Sequence, residues 1–279
     1  MNYNKVLLDR IRETTPQLVF VIKGEYIFPE TINKIKHECE CVINWNPDSP
    51  FNPINSTNYL LDSIPLYDVH FTWSEFLIPE FVKHSAKRVE YLPFAYDPFL
   101  HFPVDLKKDE IKHYGSDLVF VGTWDEEREV ILEQLVEFDL KIWGNNWENL
   151  SSKSKLKKHW FSKAVYGKEV AKIGNASKIS LNFLRNQNIH SHNMRTFEIP
   201  AIRGFMLASF SREHSKLFKI GKEIECFANI NDLKAKIKYY LGHKLQRHKI
   251  ALSGYEAVIN GGHSYANRME TVLNIFKEF

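Results

Sequence analysis

Nowhere in these 279 residues does an apolar run approach the roughly 20 that a membrane-spanning helix needs. The opening segment, MNYNKVLLDRIRE, also has no apolar stretch of the kind that marks a secretory signal. Both absences point to the cytoplasm. Cysteine is scarce: Cys39 and Cys41 stand one residue apart without a second pair at zinc spacing, and Cys226 stands alone. All three read as plain thiols, as a reducing compartment allows. No D-x-D pair is present to hold a divalent cation against a diphosphate, and no His/Cys cluster has metal spacing, so no metal cofactor is expected. The absence of G-x-x-x-x-G-K-[ST] argues against a P-loop NTPase. A formal net charge of +3 is too small to argue for nucleic acid as a partner. Internal repeats and low-complexity segments are missing as well.

What is present is a composition of 44% hydrophobic and 25% charged residues, that of a globular protein, in a chain long enough for two domains. Continuous apolar runs at Leu18–Ile22, Cys41–Trp45, Val69–Thr72 and Val89–Leu92 predict buried strands. Helical patterns separate them at Asn4–Thr14, Pro29–Glu38, Ser56–Leu61 and Pro79–His84. Strands alternating with helices in this way predict an α/β fold whose parallel sheet is covered on both faces. The proline-rich segment Leu92–Pro103, LPFAYDPFLHFP, has no periodicity, and the domain boundary is expected near residue 105. A second α/β series follows, with strands at Leu118–Val121, Leu140–Trp143, Ile179–Phe183, Phe205–Ala208 and Ile224–Phe227. Helices are predicted at Glu126–Phe138, from Tyr166 to Ala176, and at Asn231–Leu241, His243–Ile259 and Ser264–Phe279.

The richest stretch is Lys178–Ser209, KISLNFLRNQNIHSHNMRTFEIPAIRGFMLAS. Its strand runs into a polar loop, Leu184–His192, and then into a helix for which Asn193 is a suitable N-cap. Met194, Phe197, Ala201 and Ile202 supply the apolar stripe, and Gly204 closes the helix. Pro200 removes one helical donor, which predicts a local kink. A helix N-terminus opening at the carboxyl end of a strand is where parallel α/β folds bind phosphates. Arg195 brings a positive fork, Thr196 lies beside it, and Glu198 can accept two hydroxyls, which suits a diphosphate followed by a ribose. The alternative is a solvated Glu198 paired to Arg195 or Arg203.

The run MRTFEIPAIRGFML resembles the donor-site helix of the group 1 glycosyltransferases, in the branch that holds the CgeB-like spore-maturation proteins. The resemblance covers most of the chain from about Cys41 onward. It implies a GT-B architecture: two doubly wound Rossmann-like domains facing a cleft, residues 1–105 on the acceptor side and 106–279 binding the nucleotide sugar, with the last helices packing back on the first domain. In this family the glutamate at Glu198 holds the nucleotide ribose. Many relatives carry a second glutamate eight positions earlier, where this chain has His190. The run FVGTWDEERE resembles the start of the donor domain, with Gly122 letting the backbone approach the diphosphate and Arg128 reaching the phosphates. An Arg128 paired to Asp125 is the alternative. IWGNNW, with Trp143 and Gly144, matches a strand and loop next to the base; core packing is the other reading of Trp143. INWNPDSPFN resembles a run with an acid at a strand's carboxyl end, which makes Asp48 the candidate general base, against a plain turn carboxylate. His70 is the second candidate on the catalytic side, against a half-buried histidine whose bonds are met locally. Family members usually begin with more strands than are counted here, which implies either a reduced first domain or one that has lost a part.

The implied activity is transfer of a sugar from a nucleotide-activated donor to a glycan, a lipid-linked glycan or a protein, with a non-catalytic nucleotide-sugar or glycan binder as the rival and a nucleotide-sugar epimerase as a third reading. Without a metal, Arg side chains and the helix N-terminus would stabilise the leaving diphosphate. One basic loop, Ser151–Lys163, has five lysines, Leu156, Trp160 and Phe161, and no acid. It reads either as a peripheral contact with anionic lipid at the inner membrane face or as a solvated loop. Lys234–Lys249 is a second basic stretch without an acid.

Overall fold

The computed structural model describes residues 3–161, 164–188 and 190–279, so that Ile189 of the polar loop and Ser162 and Lys163 of the lysine loop lie outside it. The chain forms two compact units, Met1–Phe94 with Ala266–Phe279, and Ala95–Tyr265.

In the first unit, β1 (Leu18–Ile22), β2 (Cys41–Asn46), β3 (Val69–Thr72) and β4 (Val89–Tyr91) lie side by side in chain order, every neighbouring pair parallel. Helices α1 (Tyr3–Thr14), α2 (Pro29–Ile35), α3 (Asn58–Ser63) and α4 (Ile78–Lys83) fall between or before them. Successive strand residues point to opposite faces, and the core divides accordingly. Val42 packs with Leu8, Ile11, Ile32 and Ile35 of the first two helices. Cys41, Ile43, Val69 and Phe71 pack instead with Val272, from the chain's last helix.

The second unit begins earlier than the expected boundary near residue 105. Tyr96 N–H donates to the His263 carbonyl (3.1 Å), Tyr265 N–H to the Tyr96 carbonyl (3.0 Å), and Val104 N–H to Asn175 Oδ1 (2.9 Å). From Tyr96 on, the chain is therefore held by hydrogen bonds within this unit, while Leu92–Phe94 belong to the first. After α5 (Lys108–Tyr114) come β5 (Leu118–Val121), α6 (Glu126–Glu133), β6 (Leu140–Trp143), α7 (Lys168–Ala176), β7 (Ile179–Asn182), α8 (Arg195–Ala201), β8 (Met206–Ser209), α9 (Arg212–Leu217) and β9 (Glu225–Phe227). Three longer helices end the chain: α10 (Ile230–Gly242), α11 (Lys244–Asn260) and α12 (Tyr265–Phe276).

The five strands are all parallel in the order β6-β5-β7-β8-β9. The chain leaves β5 toward β6 on one side and returns to β7 on the other, so the strand order reverses between β5 and β7. That point is where doubly wound sheets bind ligands, beyond the carboxyl ends of the strands. Leu118, Phe120, Leu181 and Leu207 point to the face covered by α6, α10 and α11, while Val119 and Trp143 meet Val170 and Ile173 of α7 on the other. α6 ends five residues before the expected Phe138. The chain tightens there into shorter bonds, Gln134 N–H to Ile131 and Leu135 N–H to Leu132, and Leu135 stays buried; Val130, inside the helix and expected inward, is exposed.

Candidate functional site

At the reversal point the carbonyls that end β5 are met by arginines. Arg195 Nε donates to the Val121 carbonyl (3.3 Å), and Arg128 Nη1 donates to Thr123 (2.8 Å). Arg128 Nη2 also reaches the Phe183 carbonyl beyond β7, at 3.5 Å. Arg128 is therefore the bridge between the two strand ends. Asp125 caps α6 by accepting from Arg128 N–H (2.9 Å), and its other oxygen lies 3.3 Å from Arg128 Nε and 3.0 Å from Arg185 Nε. The pairing of Arg128 with Asp125 and its place at the strand ends hold together.

Arg195 also donates through Nη1 to Glu198 Oε2, one turn along α8. Burial, and then the nearby Arg128 charge, push the Arg195 guanidinium down to about 10, so it stays protonated at neutral pH. Glu198 is not the solvated helix residue of the alternative reading, since only 7% of it is exposed. Its Oε1 lies 3.6 Å from His101 Nε2. His101 was not singled out in the sequence; it comes from the proline-rich segment some hundred positions away. The Asp97 N–H donates to His101 Nδ1 (3.0 Å), which puts the proton of the neutral ring on Nε2, facing the carboxylate. Burial, then Arg195, lower the His101 pKa.

The start of α8 departs from expectation. Met194, not Asn193, is the N-cap, without a side-chain bond, and it is 43% exposed. Asn193 turns its amide to Asn182 Oδ1 (2.8 Å) because β7 places a buried asparagine there. Thr196 is fully buried and binds His214 Nε2 (2.9 Å) rather than facing a ligand. The whole of Thr196–Ala201 is buried, so the helix is a core element in place of an amphipathic one, and Pro200 sits one residue before its end. His190, in the position of the family's second glutamate, is exposed, and its carbonyl accepts from Glu213 N–H (3.3 Å). Its neighbour His192 is buried, with Nδ1 2.6 Å from Glu213 Oε2, which Ser191 Oγ also reaches at 2.6 Å.

Gly144 has φ +143°, and a Cβ there would stand 2.0 Å from the Gly122 carbonyl oxygen. Gly144 is thus explained by the close approach of the two strand ends, where Gly122 N–H donates to the Trp143 carbonyl (2.9 Å), while a side chain at Gly122 would meet only the Phe120 ring. Trp143 is 2% exposed and stacks on Phe161 at 4.8 Å, which is core packing. Beyond β5, β7, β8 and β9 lies an open cavity of about 650 Å³ lined by Arg128, Phe183, Arg185, Asn186, Ser209 and Phe227, among others.

The two candidates of the catalytic side lie in the first unit. Asp48 follows β2, its N–H bound to Asn46 Oδ1 (3.0 Å) and its carboxylate 3.2 Å from Lys23 Nζ. It is part of a turn, as its alternative reading holds, and its side chain is 39% exposed. His70 is 2% exposed, bonded through Nε2 to the Ile64 carbonyl (2.8 Å) and packed against Tyr67 and Phe81. Burial pushes it down to about 4, so it is a neutral core residue and not a solvent-reaching base.

The lysine loop is less free than its composition implies. Leu156 is fully buried, Trp160 packs against the core, and Ile142 exchanges backbone bonds with His159 and Phe161 along the edge of β6. Lys153, Lys155, Lys157 and Lys158 remain exposed. Among the described residues no group of His, Cys, Asp or Glu is arranged to hold a metal ion, and no helix is long and apolar enough to cross a membrane.

Two parallel α/β units, the second with an arginine-lined reversal point, define a GT-B-type fold. The chain belongs to the family described as glycosyl transferase-like, whose model matches residues 128–274, just over half of its length. It is a CgeB-like member of the group 1 glycosyltransferases: spore protein CgeB of Bacillus subtilis (strain 168) is 23% identical over 269 residues, 90% of this chain and 80% of that protein. Sucrose-phosphate synthase from Thermosynechococcus elongatus shares the fold with a TM-score of 0.69 at 11% identity, over 99% of this chain and 77% of that one. Anabaena HepE, solved with UDP and glucose, matches with a TM-score of 0.69 at 9% identity, over 99% and 81%.

Proposed function

We propose that this glycosyltransferase-family chain moves a sugar from a nucleotide-activated donor to a glycan, lipid-linked glycan or protein acceptor, without a metal. The observation that carries the reading is the Arg195–Glu198 pair, set by α8 against the carbonyl end of β5 with Arg128 beside it. Two half-buried guanidinium groups at a strand-order reversal supply the positive field that a leaving diphosphate needs. Glu198 lies one turn on, where the ribose hydroxyls would follow, and relatives of this fold have been solved with UDP. To take a ribose, Glu198 must turn oxygens now facing Arg195 and His101 to the two hydroxyls; Arg195 is the group bonded to it until then. Asp48 is the residue proposed to accept the acceptor's proton.

A second reading, a nucleotide-sugar binder that does not turn over, is favoured by His190 alone, since it replaces a glutamate and is exposed. A melting-temperature panel with UDP, GDP, ADP, CMP and dTDP identifies the nucleotide, because binding to the folded state stabilises it. Release of that nucleotide from its sugar conjugates, with acceptor and in EDTA, is expected for the transferase. Binding with no release would leave the binder, and activity lost in EDTA but restored by Mg²⁺ or Mn²⁺ would refute the metal-free mechanism.

A further inference from the structure

At the end of the second sheet opposite to the reversal point is another cavity, of about 470 Å³, within the range of small-molecule sites. Lys178, Arg203, Lys244, Arg247 and His248 line it, and no Asp or Glu does. Lys178 is paired to Asp117 (2.6 Å), but among the described residues no carboxylate lies within ion-pair distance of the other four. Two features set this cluster apart.

The first is Arg247, which is 5% exposed. Its Nη1 donates to the Tyr240 carbonyl, and Nε and Nη2 have no hydrogen-bond partner among the described residues. The second edge of its fork is thus a set of free donors at the cavity, with Asp117 acting on the guanidinium only from a distance. The second is Arg203. It follows α8 in a left-handed conformation, φ 59°, where Arg203 N–H bonds to Pro200 and Gly204 N–H to Ile199. That turn favours glycine at the left-handed position, and the glycine stands one residue later. The side chain, over the Tyr255 ring at 4.9 Å, is kept there at the expense of backbone strain. In addition, α11 opens with Lys244, Arg247 and His248 and has no acid in its first turn, so cations crowd the positive end of a 17-residue helix.

We propose that this cavity binds a phosphate-bearing anion, at a site separate from the donor site. The bound phosphate would pair with Arg203, Lys244 and the free edge of Arg247, and would offset the helix field. Lys244, Arg247 and His248 of the basic stretch Lys234–Lys249 thereby acquire a role, while Lys234 and Lys236 pair with Glu137, Glu225 and Asp232.

The test uses inorganic pyrophosphate, titrated by calorimetry into the full chain and into a variant with Arg203→Gly and Lys244→Gln. Both substitutions relieve unfavourable features, so the melting temperature without ligand should hold or rise. Pyrophosphate affinity at this site should fall roughly tenfold or more, while affinity for the nucleotide found in the melting panel stays unchanged. Any pyrophosphate uptake that survives in the variant then belongs to the donor site, so failure there is told apart from failure here. Equal affinity and stoichiometry in the two proteins, or no uptake by the wild type, overturns the proposal. Vesicles of phosphatidic acid, set against phosphatidylcholine, separate the sources. Binding lost in the variant names a lipid headgroup, and pyrophosphate binding without vesicle binding names a soluble phosphate ester.

Discussion

At the scale of single residues, the sequence made Glu198 chemically suggestive but could not show what holds it. Its burial, and His101 at 3.6 Å, come from a chain segment far away in sequence, and no local pattern announces such a contact. The consequence for mutation is direct. A surface glutamate would change little on substitution, but this one neutralises Arg195, whose side chain is only 24% exposed. Glu198→Gln should therefore destabilise the unliganded protein by about 2 kcal/mol, roughly 4–8 °C for a unit of this size. It should also weaken nucleotide binding about ten- to a hundredfold, because one ribose hydroxyl loses its acceptor. Calorimetry well below both melting temperatures separates the two effects. Unchanged affinity with lowered stability would make Glu198 a structural partner of Arg195 and no more.

At the scale of elements, the strands of the described residues lie where the apolar runs place them to within a residue or so, because buried parallel strands are written as continuous hydrophobic segments. Helix ends were less legible. Asn193 is a good cap by type, yet Asn182 takes its side chain, and α6 stops early where the chain must turn into β6. The glycines at the ends of β5 and β6 make a sharper point. Gly122→Ala would press on the far end of the Phe120 ring, at 2.7 Å, which can rotate away. Gly144→Ala would press on the Gly122 carbonyl itself at a positive φ. The first should cost about 1 kcal/mol and the second more than about 3 kcal/mol, read as urea midpoints at constant slope. Similar costs for both would mean that the strand ends do not meet as described. The lysine loop makes the companion case. With Leu156 and Trp160 turned inward, contact with anionic lipid would fall mainly to the exposed lysines, with Phe161 the one apolar side chain of the described loop at the surface. Changing Lys155, Lys157 and Lys158 to Glu should abolish sedimentation with anionic vesicles and leave nucleotide binding intact. Equal binding to neutral vesicles would exclude that mode.

At the scale of the molecule, each unit carries a buried histidine that tunes its stability to pH. His70 belongs to the first and His214 to the second, where its Nδ1 donates to the Ser209 carbonyl (3.0 Å) and its Nε2 accepts from Thr196. Burial is the main cause in both cases, and it pushes each from the ordinary 6.5 down to about 4. A depressed histidine means that the unfolded chain takes up a proton which the folded chain refuses. Stability is then complete above pH 6.5 and declines as the pH falls toward 4. By pH 5 each histidine should have removed about 2 kcal/mol. His70→Gln keeps a donor for the Ile64 carbonyl, and His214→Asn keeps one for Ser209, but neither replacement titrates. Urea unfolding at pH 7.5 and pH 5 should show the difference between the two conditions shrinking by about 2 kcal/mol in each variant. If unfolding resolves into two transitions, His70→Gln should correct only that of the first unit and His214→Asn only that of the second. A pH dependence as steep in His70→Gln as in the wild type would mean that the histidine is protonated in place, and that the first unit opens to water around it.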